Sequence, residues 1–373
     1  MSNNINRRDL FKFTGGAAVG LALAGARVSS GLAAEPDERP DGIISLSGNE
    51  NSYGPSPAAR EAINEVQGRA NRYGYAQQLE FVNKIAEKEG VTPEHIVLGS
   101  GSSEVLCATG LAYCRNGSDT VAADLGFGLV PGYASAVGGD INWVPLDDEM
   151  RHDLNAMDQR ITQGTGIVYI CNPNNPTGTL VDSAELRDFC ASVSKRALVL
   201  VDEAYLEYSD DFNGMTMLDM VKQGHNVVVA RTFSKIHGLA GLRMGYVIAR
   251  PDIAERIARY KMCKFQGPLG VAAAAASLED TEFQDFCRAR AKEGRELVHE
   301  LCNTLGIAHT QAEGNFAFID PRMTNQEFQQ RMRSHGLGAA RPFPPKPDWA
   351  RVTIGTTEEM QIFAEALPKI LSA

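Results

Sequence analysis

The chain has 373 residues, 43% of them hydrophobic and 22% charged, and 46 acidic against 36 basic side chains leave a formal charge of −10. That length holds about two domains, each able to bury a core, which excludes a disordered acidic tail and a small disulfide-stapled scaffold. The acidic balance, with no compensating block of Lys or Arg, argues against a nucleic-acid partner.

Residues 1–33 read as a targeting segment rather than as part of the fold. Asn6-Arg7-Arg8-Asp9-Leu10-Phe11-Lys12 is a twin-arginine pattern, Phe13 to Ala26 is apolar but short for a bilayer span, and Gly31-Leu32-Ala33 is a small-x-small cleavage site. The expectation is export to the periplasm by the twin-arginine translocation machinery, with no stable membrane insertion. A chance basic helix start and an uncleaved anchor are the alternatives. Ala34 to Gly42 is charged and Pro-rich, and residues 34–45 are expected to form a linker.

Short apolar runs then alternate with helical patterns: Ile96-Val97-Leu98, Thr120 to Ala123, Gly166 to Ile170, Ala197 to Val201, Asn226 to Ala230 and Gly245 to Ile248. Continuous runs of this kind predict strands covered on both faces, hence an α/β fold with a mainly parallel sheet over residues 76–270. After Pro268 the texture becomes helical, with strands expected at Phe316 to Ile319 and Arg351 to Ile354, so 271–373 reads as a smaller α+β C-terminal domain. Residues 46–75 are left as an N-terminal arm. The seven cysteines are odd in number and lack CxxC spacing, which suggests buried thiols. The seven histidines show no metal-binding spacing.

The expected strand ends carry the chemistry. They read Gly99-Ser100-Gly101-Ser102-Ser103, Asn172 to Gly178, Asp202-Glu203-Ala204-Tyr205 and Arg231-Thr232-Phe233-Ser234-Lys235, and open α/β sheets bind ligands beyond the carboxyl ends of their strands. An anion cradle, an amide, a carboxylate with a phenol, and a lysine suit pyridoxal 5′-phosphate. Lys235 would form the Schiff base and Asp202 would hold the pyridine nitrogen protonated. Asn175 and Tyr205 would hydrogen-bond the ring oxygen. Ser102 and Ser103, at the start of a helix running through Cys114, would bind phosphate with Ser234 and Arg243. Phe127 would stack on the ring or fill the core. Arg351 would clamp a substrate carboxylate, and Arg341 would meet a distal acidic group or remain a surface residue. A dinucleotide site at Gly99-Ser100-Gly101 is disfavoured, because Glu104 stands where the fingerprint needs glycine.

These residues, with Gly48-Asn49-Glu50-Asn51-Ser52-Tyr53-Gly54-Pro55, Ser234 to Arg243 and Arg351 to Thr356, resemble the fold-type I, pyridoxal-phosphate-dependent class I/II aminotransferases, and among them the histidinol-phosphate aminotransferase branch. The resemblance runs from about Leu46 to the C-terminus. It implies a homodimer with active sites at the subunit interface, transfer of an amino group from a small-molecule donor to a 2-oxo acid, Tyr53 near the substrate, and Tyr73 reaching the neighbouring subunit's cofactor phosphate. The chain departs from the branch at Gly74, Phe127 and Phe265 to Pro268, around the substrate. Histidinol phosphate is a cytosolic intermediate, so export points to another amino donor. A decarboxylase, racemase or C–S lyase would use the same Lys235 and Asp202. A non-catalytic exported binding protein would keep the fold without turnover.

Overall fold

The computed structural model describes residues 42–339 and 341–372. The expected twin-arginine segment and linker residues 34–41 lie outside them. The strands are β1 (Ile44–Leu46), β2 (Ile96–Ser100), β3 (Asp119–Ala123), β4 (Ile141–Val144), β5 (Thr165–Cys171), β6 (Leu198–Asp202), β7 (Val227–Thr232), β8 (Met244–Ala249), β9 (Phe316–Ile319), β10 (Leu337–Ala339) and β11 (Ala350–Thr353).

A seven-stranded sheet has the order β2-β8-β7-β6-β5-β3-β4. The pairs β4–β3, β3–β5, β5–β6 and β6–β7 are parallel, whereas β8 runs antiparallel to both β7 and β2. All six apolar runs read from the sequence lie in this sheet. Strand β4 has no such run, because it is an edge strand with half-exposed Ile141 and Asn142 and an exposed Trp143.

Side chains alternate between two cores. Val199, Val201, Val227 and Val229 enter one; Leu198, Leu200, Val228 and Ala230 enter the other. Both faces of β6 and β7 are therefore dry, which explains their unbroken apolar sequence. A third core gathers Leu46, Val298, Phe328, Val352 and Phe363, built on the antiparallel pair β9–β11 and the parallel pair β1–β10. Neither β1 nor β10 was expected; each has three residues and takes its register from the other. The division expected after residue 270 falls inside the helix Pro268–Glu279.

Five cysteines are buried, but Cys107 is half-buried and Cys263 is exposed, which corrects the expectation of buried thiols throughout. Cys263 lies in a loop that is anchored through its backbone, its N–H donating to Glu104 Oε1 at 2.6 Å, so its side chain contributes nothing to a core.

Candidate active site

Strand direction collects the site on one rim. Because β8 is antiparallel, its first residues lie beside the last residues of β2 and β7: Met244 pairs with Ser100, and Gly245 pairs with both Gly99 and Thr232. Arg243, just before β8, thus reaches the rim where β5, β6 and β7 end. A cavity of about 480 Å³ opens there. Ser102, Ser103, Phe127, Asn175, Asp202, Tyr205, Ser234, Lys235, Arg243, Arg341 and Arg351 all line it. Tyr53 and Tyr73 do not. The Tyr53 ring packs edge-on against Phe286, 4.8 Å between centroids, and its hydroxyl lies 3.3 Å from Thr357 Oγ1. Tyr73 is 84% exposed and lies against Phe265.

The helix Gly101–Cys114 begins at the end of β2 with Gly101 at φ +72°. A Cβ there would lie 2.3 Å from Arg243 Nη2, so glycine is what lets the guanidinium approach the helix start. Glu104 reaches back to the Ser100 N–H at 2.7 Å, the job that excludes a dinucleotide-type glycine at this position. The first-turn N–H groups lack intrahelical acceptors. With Arg243, Ser234 and Thr232, whose Oγ1 lies 3.0 Å from Ser234 Oγ, they make an anion cradle. Thr232 lay in the expected strand end at residues 231–235 but was given no role there.

Asp202 closes β6 and is buried. Its Oδ2 accepts from Tyr169 Oη at 2.9 Å and its Oδ1 from the Ala204 N–H at 3.2 Å. Burial raises its pKa to about 6 against the pull of those two bonds. Lys235 Nζ donates to the Gly48 carbonyl at 3.2 Å and lies 5.4 Å from the Tyr205 ring centre. Burial, with Arg351 adding repulsion, lowers its pKa to about 8.

Tyr205 Oη accepts from Asn49 Nδ2 at 3.1 Å and Asn175 Nδ2 at 3.2 Å, which leaves its own proton to donate. Burial raises this phenol's pKa. Asn49 is the principal residue that motif reading did not assign. It is fully buried at φ +53°, it donates its N–H to Thr353 Oγ1 at 3.0 Å, and Asn315 Nδ2 holds its carbonyl at 3.1 Å. The short strand before it, β1, was not expected from the sequence, so no strand end flagged it.

Arg351 Nη1 donates to Asn175 Oδ1 at 2.6 Å, which orients the amide so that its nitrogen faces Tyr205. The guanidinium lies between the Phe316 and Phe343 rings, 5.6 and 5.1 Å from their centres. Its Nε is buried without a hydrogen-bond partner. Burial lowers the Arg351 pKa. Arg341 is exposed on the rim, over Phe343.

A lysine of lowered pKa, a buried carboxylate, a phenol with two amide partners and an anion cradle share one cavity. That donor set fits pyridoxal 5′-phosphate: Ser102, Ser103, Ser234 and Arg243 for the phosphate, Asp202 for the ring nitrogen, Asn175 and Tyr205 for the ring oxygen, and Lys235 for the aldehyde carbon. Among the described residues no group of three or more His, Cys, Asp or Glu is placed to hold a metal ion.

The model of the aminotransferase class I and II family matches residues 41–367. A histidinol-phosphate aminotransferase of Brevibacillus brevis is 35% identical over 334 residues, 88% of this chain and 91% of that protein. One from Moorella thermoacetica is 36% identical, covering 88% of this chain and 86% of that protein. The solved structure of the histidinol-phosphate aminotransferase of Sinorhizobium meliloti in complex with pyridoxal 5′-phosphate superposes with a TM-score of 0.82 at 25% identity, over 88% of this chain and 91% of that one.

Proposed function

The chain belongs to the class I and II aminotransferases, pyridoxal 5′-phosphate enzymes of fold type I, and from that premise we propose that it is an exported transaminase whose donor is an amino acid held by its carboxylate on Arg351. Arg351, a cation that lines the same cavity as Lys235 and is anchored there on Asn175, carries this reading.

Bound pyridoxal phosphate supplies an electron sink that acidifies the donor's α C–H bond. The residues do the rest. Asp202, kept ionised, would hold a proton on the ring nitrogen. Lys235 Nζ, which rests against the Gly48 carbonyl, would be the base that moves the proton at the donor's α-carbon. A pKa near 8 leaves a useful fraction of neutral amine at neutral pH. Arg351 fixes the carboxylate and so sets which bond faces Lys235. Holding a carboxylate disfavours losing it, which weighs against decarboxylation.

The twin-arginine pattern at Arg7-Arg8 supports export, and export supports a donor other than histidinol phosphate. Replacing both arginines by lysine should leave the protein in the cytosol on fractionation; unchanged export would refute the route. The similarity to histidinol-phosphate aminotransferases favours a second reading, in which the exposed Arg341 meets the phosphate of histidinol phosphate. The deciding experiment follows the cofactor's visible absorption while single donors are added, histidinol phosphate among them. Bleaching by an amino acid and recovery with a 2-oxo acid supports the first reading; bleaching by histidinol phosphate alone overturns it. The homodimer rests on the resemblance and on the exposed apolar side chains Tyr73, Tyr75 and Met262.

A further inference from the structure

Asp202 is not held by its own strand. It closes β6, and its carboxylate is reached from the neighbouring strand by the phenol of Tyr169, three residues before the Asn172 turn. The two strands are parallel and in register, Tyr169 opposite Leu200 and Cys171 opposite Asp202, so the phenol extends along the sheet to the next pair. Tyr169 is 2% exposed, as is Asp202. A tyrosine on a strand with both faces buried would more simply be phenylalanine, since an unpaired hydroxyl there is costly. The hydroxyl meets that cost with one partner, the carboxylate that faces the cofactor site.

We propose that Tyr169 is the positioning residue for Asp202: its phenol donates to Oδ2, fixes the carboxylate plane together with the Ala204 N–H on Oδ1, and keeps the buried acid ionised so that it can hold a proton on the cofactor's ring nitrogen. The inference rests on the assignment of Asp202 to that nitrogen and adds a residue that does not line the cavity. Two donors leave the carboxylate one orientation, with lone pairs still open on both oxygens. A hydrogen bond to an ionised acceptor is stronger than a neutral one, so the phenol stabilises the charged over the protonated form. Without it, burial alone would act on the acid, and burial is already the largest influence on its pKa. The other groups facing Asp202 are Glu203, which opposes ionisation, Lys235, which favours it, and the buried Cys171 and Tyr205, neutral at working pH because burial raises both.

The test is Tyr169→Phe, which keeps the ring and removes the donor, with Tyr169→His to restore an N–H. Dissociation of pyridoxal phosphate from the apoprotein is measured by absorbance between pH 5 and 8, beside kcat and KM. The expected result for the Phe variant is a roughly tenfold loss of cofactor affinity at pH 6, an acid limb moved up by about one pH unit, and a roughly tenfold fall in kcat with KM within about twofold. The His variant should recover part of the affinity. Unchanged affinity and acid limb in Tyr169→Phe overturn the proposal, as does a His variant no better than Phe. Failure of both variants to fold as apoprotein assigns the phenol to sheet packing and overturns it too. Asp202→Asn separates the two levels of argument: if it leaves cofactor affinity intact, the assignment of Asp202 itself is wrong.

Discussion

At the scale of single residues, Lys235 and Arg351 divide the chemistry by how burial treats each cation. Lys235 has a pKa of about 8, below the ordinary lysine value, so its neutral amine appears as pH rises through 8 rather than through 10.5. The rate at which apoprotein regains bound cofactor, followed by visible absorption, should therefore level off above about pH 8. A rate still climbing at pH 10 would show an unperturbed amine. Arg351 needs its planar fork: Nη1 holds Asn175, and in the proposed reading the rest of the fork receives the donor's carboxylate. Arg351→Lys keeps the charge and loses the fork, so KM for an amino acid donor should rise about a hundredfold with a smaller change in kcat. Equal KM values would place the carboxylate elsewhere. Both residues stood out in the sequence through their motifs. Asn49, though inside a motif, and Tyr169 were given no role, because their partners, Tyr205 and Asp202, are 156 and 33 positions away.

At the scale of elements, the turn from β2 into the helix Gly101–Cys114 is the most exacting part of the cradle. Gly101 combines a positive φ with the close approach of Arg243, itself at φ +54°. Gly101→Ala should cost about 1–2 kcal/mol from the backbone alone, and displacement of the guanidinium should lower cofactor affinity about tenfold or more. Thermal unfolding of the apoprotein reads the first effect and cofactor titration the second; a variant matching the parent in both would show that the turn is adaptable. Elements were legible where one physical signal dominates. Dry faces on both sides gave β5, β6 and β7 unmistakable apolar runs. Strand β4 and the paired β1 and β10 were not legible, since their pairing is decided by neighbours remote in sequence.

At the scale of the whole molecule, the proposed homodimer makes a prediction that no monomer can meet. Tyr73, too exposed to serve its own cavity, is expected to complete the partner's site. Mixing Tyr73→Ala with Lys235→Ala subunits and allowing exchange should restore activity to about a quarter of the parent level, because half the dimers then carry one intact site. Activity no higher than the two parents together would put Tyr73 outside the site. The sequence by itself determined the parallel α/β sheet, the cofactor and the residues at each strand end, because these depend on local periodicity and on short motifs whose members sit within a few residues of one another. Only the tertiary structure decided how those ends meet: the reversal of β8 that brings Arg243 against Gly101, the contact of Asn49 with Tyr205, and the phenol of Tyr169 on Asp202. Each joins residues far apart along the chain, and such contacts exist only once the sheet order and the burial of both partners are fixed.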